Sequence, residues 1–334
     1  MILAAGLGTR LRPLTLLAAK PVLPVLNRPL LHWTLQRLAG QGVREVVINT
    51  HHLPESVREA IGDGRALGLE VRYSHEPRIL GTGGGPRAVR DFFGRDPFLL
   101  VNGDVLFDFD LRAVVERHRA SGARATLVLK HHPEVGAYGG VVTGRDGWIR
   151  SIAGLPRPTS GPPALFTGVH VLDPTLLDRL PPGPSDSVRD LYVPLLREGA
   201  PLLGVRVRSA WYDFGTPSLY LDSQITLLSR GYGGLSRGPL VHPEARVHSR
   251  ARLRRSVVGG RSLVEEGAEV SDSVLWNGVS VLAGARVRRS VLTTGATVGP
   301  GEVVEGQIVI PSDRLPTRPA RSRSRNGQHL VELP

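Results

Sequence analysis

The sequence predicts an α/β, Rossmann-like doubly wound domain followed by a parallel left-handed β-helix built from 17-residue, hexapeptide-type coils. Three observations carry this. Short apolar runs alternate with amphipathic segments through the first 130 residues. A glycine-rich turn follows the first apolar run. From Val241 onward, apolar residues recur at a fixed offset of 17.

Residues 1–5 read as a strand ending in the glycine turn, 28–40 as a helix and 45–49 as a buried strand. A helix at 54–61, a strand at 70–73 and a helix at 84–93 follow. The alternation continues with a strand at 98–102, a helix at 111–121 and a strand at 125–130. Continuously apolar strands separated by helices point to a mostly parallel sheet covered on both faces. Such sheets bind ligands beyond the carboxyl ends of their strands, so chemistry is sought just after each strand. Residues 132–215 are rich in Gly and Pro, with strand-like pieces at 140–143, 166–172 and 202–207 and a helix near 190–197. Residues 216–228 read as one more helix, which the glycines of 231–234 end.

The repeat is visible in columns. Positions 241, 258, 275, 292 and 309 are Val, Val, Leu, Leu and Val. Positions 247, 264, 281 and 298 are all Val, and 253, 270, 287 and 304 are Leu, Val, Val and Val. A fourth column at 257, 274, 291 and 308 is Val, Val, Val and Ile, and Gly267, Gly284 and Gly301 mark a turn. Two hexads and a pentad per repeat give a triangular coil with one inward aliphatic on each side. Four coils stacked at about 4.8 Å make a prism roughly 19 Å tall. Antiparallel strands with Val-rich faces are the alternative, but they would not align four columns. After Pro311 the period stops, and five Arg stand against two acids. The expected domains are therefore 1–232, 239–311 and a basic, flexible tail at 312–334.

Composition narrows the function classes. The chain of 334 residues contains no Cys, which excludes disulfides, thiolate metal sites and Cys nucleophiles and fits a reducing, cytoplasmic setting. No apolar stretch reaches the roughly 18 residues of a membrane span. Residues 1–10 lack the basic start of a signal peptide, and Met1 stands so close to the glycine turn that a start a few residues upstream is expected. The net charge of +12 speaks about association rather than fold. Only two of the 42 basic residues are lysine, Lys20 and Lys130, so a lysine is the exception here.

The glycine turn reads Ala4-Ala5-Gly6-Leu7-Gly8-Thr9-Arg10-Leu11-Arg12-Pro13-Leu14-Thr15, with Lys20-Pro21 downstream. Glycines after a strand let backbone N–H groups approach phosphate oxygens, a guanidinium can chelate them, and a lysine supplies a compact charge. Leu11 stands where a dinucleotide loop needs its third glycine, and no Gly-Lys-Ser/Thr of a Walker loop follows.

This stretch resembles the signature GxGTRLxPLT followed by Pro-Lys-Pro of the sugar-1-phosphate nucleotidylyltransferases, or NDP-sugar pyrophosphorylases, with Ala19 in place of the first Pro. Three more segments are similar to that family: Leu80-Gly81-Thr82-Gly83-Gly84-Gly85, Asn102-Gly103-Asp104, and Trp211-Tyr212-Asp213-Phe214-Gly215-Thr216. The β-helix also recurs in members such as mannose-1-phosphate guanylyltransferases and glucose-1-phosphate adenylyltransferases. The GTGGG and VNGD segments resemble N-acetylmuramate-1-phosphate uridylyltransferases, which usually lack it.

The resemblance implies attack of a sugar 1-phosphate on the α-phosphorus of an NTP, with release of pyrophosphate. It implies a nucleotide site at Ala4, Ala5, Gly6, Gly8, Thr9, Glu76, Gly81, Thr82, Gly83, Asn102 and Gly103, with 80–85 a loop under the nucleoside. Arg10 would hold the pyrophosphate and Lys20 bridge the phosphates of both substrates. Asp104 and Asp213 would hold Mg²⁺, and Gly140, Thr167 and Gly168 would border the sugar. The Glu-Lys-Pro that family members carry near the sugar has no counterpart beyond Pro156-Arg157-Pro158, which puts the sugar's identity in doubt. The implied partners are the NTP and the sugar 1-phosphate, with no nucleic acid, no membrane and a homo-oligomer.

Other acids read as structural. Asp108 and Asp110 precede a helix as caps, and Asp63 and Asp146 sit beside glycines in turns. The pairs His51-His52 and His131-His132 follow strands and point to opposite faces. Two other functions compete: a non-catalytic regulatory paralogue, against which Arg10, Lys20, Asp104 and Asp213 all stand, and a pyrophosphorylase/acyltransferase. The second would need more coils and a His in the acceptor cleft, whereas no His lies between Arg250 and Asp313.

Overall fold

The computed structural model describes residues 1–315 and 317–333. Two compact units divide the chain: Met1–Leu7 with Thr34–Tyr212, and Gly8–Trp33 with everything from Asp213 onward.

The first unit is built on a seven-stranded sheet. Its strands are β1 (Ile2–Leu3), β2 (Glu45–Thr50), β3 (Glu70–His75), β4 (Phe98–Asn102), β5 (Ala125–Lys130), β6 (Leu165–Leu172) and β7 (Leu202–Val207), in the order β7-β5-β6-β4-β1-β2-β3. All run parallel except β6, which is antiparallel to both of its neighbours. Helices α1 (Leu30–Gly40), α2 (Pro54–Ile61), α3 (Gly81–Ala88) and α4 (Leu111–Ser121) occupy the connections. The central strand β1 is two residues long, yet Ile2 is fully buried and Leu3 stands in register with Asn49 and Asn102. The first turn of α4 is capped by Asp110, whose carboxylate accepts from the N–H groups of Arg112 and Ala113. Asp108 instead pairs with Arg37 at 3.0 Å.

The helix expected at 84–93 starts three residues earlier and stops at Ala88, with a 3₁₀ turn at Arg90–Phe93. The helix near 190–197 is a π turn, Val188–Tyr192, running into α5 (Val193–Arg197). Lys130 closes the far end of β5: its Nζ donates to the carbonyls of Arg208 and Ser209 at 3.2 and 2.6 Å, tying that strand to the loop after β7.

In the second unit the 17-residue period becomes literal geometry. Leu240 pairs with Val257, Val257 with Val274, Val274 with Val291 and Val291 with Ile308, every step an offset of 17 in a parallel register. The other two sides step through 246, 263, 280 and 297 and through 252, 269, 286 and 303. The inward columns form the core, with Val264, Val281, Val298, Leu275 and Leu292 at 0–1% exposure. The glycine column at 267, 284 and 301 has φ near +68°, a left-handed corner that a Cβ would strain.

A polar ladder runs beside the apolar ones: Ser256, Ser273 and Ser290 are fully buried, and each Oγ accepts the N–H of the residue 17 positions on. The column 257, 274, 291 and 308 points out of the prism and is nonetheless buried. Helix α6 (Pro217–Arg230), N-capped by Thr216, lies on the prism, with Trp276 Nε1 donating to Tyr220 Oη at 3.0 Å and Arg289 pairing with Asp222 at 3.2 Å. Tyr220 Oη donates in turn to Pro24 O, Leu26 N–H to Gln224 Oε1, and Asn27 Nδ2 to Val258 O. These bonds are why the segment from Gly8 to Trp33 groups with the β-helix, whereas the sequence suggested a boundary only at 232–239.

The stretch after Pro311, expected as a flexible basic tail, forms a hairpin. Ser322–Arg325 and Gln328–Glu332 pair around Asn326-Gly327, and the second strand adds antiparallel to Gln307–Pro311 of the last coil. The φ angles of 48° and 69° at Asn326 and Gly327 suit a type I′ turn, and the hairpin covers the last coil's open edge.

Candidate active site

In the first unit, the ends of β1, β2 and β4 converge. Asn49, the penultimate residue of β2, accepts the Ala4 N–H at 2.7 Å and donates to Glu76 Oε1 at 2.7 Å. The other Glu76 oxygen accepts the Leu80 N–H at 2.8 Å, which carries the chain into α3. Gly103 donates to Leu3 O at 2.9 Å, and a Cβ at Gly103 would lie 2.7 Å from that oxygen. Close approach of this loop to β1 therefore requires glycine. Asn102 lies against Gly168 of β6, where a Cβ would stand 2.5 Å from the Asn102 amide nitrogen. Ala4, Ala5, Gly6, Asn102, Gly103, Asp104 and Gly168 thus share the carboxyl end of the parallel strands. Gly6 is exposed and Asp104 half-buried.

Several expected contacts are taken up internally. Glu76 is 1% exposed with both oxygens engaged, so it braces Asn49 and α3. The segment 80–85 is the start of a helix, not a loop, and its glycines fit α3 against residues 183–185. The N–H groups of Gly83 and Gly84 both donate to Ser185 O, and a Cβ at Gly84 would meet Gly183 O at 2.2 Å. Thr82 Oγ1 accepts the Ser187 N–H and donates to Asp186 Oδ2. Thr167 is fully buried with its hydroxyl on Val128 O, and its neighbour Gly168 is buried as well. Gly140 packs against Pro163, where a Cβ would stand at 2.6 Å. His51 Nδ1 bonds to Glu76 O and His132 Nδ1 to the Glu134 N–H, so both pairs sit at strand ends as expected.

In the second unit, Gly8 has φ +61°, and a Cβ there would meet Thr15 Cγ2 at 2.7 Å and Lys20 Cβ at 3.3 Å. Thr15 Oγ1 donates to Gly8 O, closing the loop on itself and leaving Thr9 and Arg10 exposed. Lys20 opens a 3₁₀ turn, Lys20–Val22, and is half-buried. Asp213 is 9% exposed; its carbonyl accepts from Ser223 Oγ, and a Cβ at Gly215 would lie 3.0 Å from both carboxylate oxygens. Gly215 is thus the residue that gives this carboxylate its room.

Sequence reasoning missed Asn49 and the 183–187 loop. An Asn ending a buried strand was the only signal for the first. The second had none, because its partner in α3 is about a hundred residues away.

Comparison with known proteins fits this arrangement. Residues 1–230 match the nucleotidyl transferase family, and residues 236–309 match the GlmU-like C-terminal hexapeptide family. A mannose-1-phosphate guanylyltransferase of Mycobacterium tuberculosis is 34% identical over 94% of this chain and 80% of its own length. A UTP–glucose-1-phosphate uridylyltransferase of Synechocystis is 34% identical over 69% of this chain and 63% of its own length. A probable mannose-1-phosphate guanylyltransferase of rice is 27% identical over 94% of this chain and 91% of its own length. Two strand-end loops, a glycine-rich turn with its lysine and a 17-residue β-helix are thus found together in a chain that belongs to the nucleotidyl transferase family.

Proposed function

We propose that the chain transfers a nucleoside monophosphate from an NTP to a sugar 1-phosphate, releasing pyrophosphate, and that GTP and mannose 1-phosphate are its substrates. The observation that carries the substrate choice is coverage. The relatives that match over 94% of the chain are guanylyltransferases, whereas the uridylyltransferase match, like that of the guanylyltransferase catalytic subunits, covers 69–70% of it.

In this reading an oxygen of the sugar phosphate attacks the α-phosphorus of GTP, the α–β phosphoanhydride bond breaks, and its electron pair leaves with pyrophosphate. The nucleophile is already ionised, so catalysis is positioning and neutralisation of charge. Arg10 would receive the departing pyrophosphate on its exposed guanidinium. Lys20 would balance charge between the two phosphates as a point charge. Gly6 and Gly103 would admit the nucleotide to the strand ends, and Gly168 would border the sugar.

Asp104 and Asp213 are hard oxygen donors of the kind Mg²⁺ takes. Among the described residues no group of three or more His, Cys, Asp or Glu could hold an ion. A site with two protein carboxylates, completed by water and phosphate oxygens, is how Mg²⁺ is usually held. When bound, Mg²⁺ would neutralise phosphate charge. The reading extends to a cytoplasmic homo-oligomer with small-molecule ligands alone. Zero Cys fits a reducing compartment, and no helix of the described residues is long and apolar enough to cross a membrane.

The test is pyrophosphate release across GTP, UTP, dTTP and ATP against mannose, glucose, N-acetylglucosamine and N-acetylmuramate 1-phosphates, with Mg²⁺. GTP with mannose 1-phosphate is expected to dominate; dominance by UTP with glucose 1-phosphate would reverse the substrate assignment. No release from any pair would favour the regulatory paralogue. Asp104→Ala or Asp213→Ala with parental activity would remove the metal assignment.

A further inference from the structure

The sheet of the first unit has a second end, and it carries its own cleft. Leu202, the first residue of β7, pairs with Ala125, the first residue of β5. These strands are parallel to β1 and β4, so this end is opposite the one where Gly6 and Asp104 lie. A cleft of about 630 Å³ opens there, with Ile149, Leu196 and Leu202 in its apolar wall and Trp148, Arg157 and Arg197 around it. That volume suits a drug-sized small molecule and far exceeds what a lone phosphate fills.

The polar groups around it stand out against the rest of the protein. Three of the four tryptophans donate their indole N–H internally: Trp33 to Val25 O, Trp211 to Thr167 O and Trp276 to Tyr220 Oη. Trp148 makes no such bond among the described residues, is half-buried and lines the cleft. Most arginines near an acid are paired, including Arg150 with Asp146 at 2.5 Å and Arg179 with Glu198 at 2.5 Å. Arg157 and Arg197 are exposed and have no acid partner among the described residues. The cleft therefore combines two uncompensated guanidinium groups, a ring with a spare donor, and an apolar wall. Guanidinium forks chelate phosphate oxygens, and a planar base stacks on an indole or an apolar wall.

We propose that this cleft is a second ligand site that binds a nucleoside diphosphate, its phosphates on Arg157 and Arg197 and its base against Trp148. It stands at the far end of the sheet from the loops assigned to the reaction. Occupancy there is independent of which sugar the enzyme uses.

The experiment is equilibrium dialysis of GDP against the full chain, which reads stoichiometry without turnover. The Arg157→Glu/Arg197→Glu protein is expected to bind one GDP fewer per chain than the parent. Because both side chains are exposed, it is expected to melt as the parent does. Trp148→Phe is expected to abolish the part of the GDP-induced tryptophan quenching that the double variant also lacks. Equal GDP stoichiometry in parent and double variant would overturn the proposal, as would unchanged quenching in Trp148→Phe.

Discussion

Gly84→Ala and Gly40→Ala are the same chemical change in two helices, and the structure expects opposite signs. At Gly84 the added methyl would stand 2.2 Å from Gly183 O and 3.1 Å from Leu80 Cβ. Its closest contact is backbone, which moves only if the loop at 183–185 moves. That loop is itself held by Ser185 N–H on Leu80 O and by Ser185 O on the N–H groups of Gly83 and Gly84. Overpacking of this kind costs about 1–3 kcal/mol. For a cooperative unit of some 150–250 residues, each kcal/mol lowers the melting temperature by 2–4 °C, so the expected fall is roughly 2–12 °C. At Gly40, the last residue of α1, nothing lies within 4 Å of the added methyl and φ is not left-handed. Alanine there removes backbone freedom from the unfolded chain, a gain of about 0.5–1 kcal/mol and a rise of roughly 1–4 °C. Thermal unfolding followed by circular dichroism on the two proteins and the parent decides it. A Gly84→Ala protein melting with the parent would refute the account of the GTGGG run as a packing surface.

Three further outcomes are expected. Lys20→Arg keeps the charge but replaces a compact ammonium with a planar fork; turnover in the pyrophosphate-release assay should fall at least tenfold, about 1.4 kcal/mol, with unchanged melting. Burial holds the His170 imidazole down to about 3. It is therefore neutral when folded but takes up a proton when unfolded. Its contribution is complete above the unfolded value near 6.5, and is lost as pH falls toward the folded one, by at most ~1.4 kcal/mol per pH unit. Denaturant midpoints between pH 7 and 4 should fall less steeply in His170→Gln, which removes the titration. Finally, a chain ending at Pro311 exposes the edge of Gln307–Pro311 with Ile308 and Ile310 on it. Light scattering should show a larger assembly than the parent's, and an unchanged mass would mean the hairpin does not guard that edge.

The β-helix was legible because its signal repeats. A single Val-rich hexad is ambiguous, but a wrong register would break four columns at once, and the observed pairs step by 17 throughout. The sheet strands at 98–102, 125–130 and 202–207 were equally plain, being continuous apolar runs bounded by polar turns. What escaped depends on contacts between distant residues or on outward-facing chains. The hairpin after 311 has the Asn-Gly signal, but the Arg-Ser alternation before it offers no apolar face to mark a strand. The helix start at Gly81 hid behind four glycines, poor helix formers that are tolerated because Ser185 O takes up the first-turn N–H groups. The site motifs were legible as residues, yet whether a side chain faces a ligand or the protein was not. Glu76, Thr82 and Thr167 all turn inward. Of the two lysines, Lys130 has a structural task, a compact ammonium shared by two carbonyls. Lys20 is the one to which the proposed function gives a chemical role.

The serine ladder and the glycine corners have a consequence for how this domain can change in length. The strand pairs and the serine ladder of the prism link residues 17 positions apart. Adding or removing a full turn leaves each column in phase. A gain or loss of 16 or 18 residues would carry the valines outward and the arginines inward along all that follows. Evolution and engineering alike can therefore resize this part of the molecule only in whole steps of one coil, while the loops of the α/β sheet accept insertions one residue at a time.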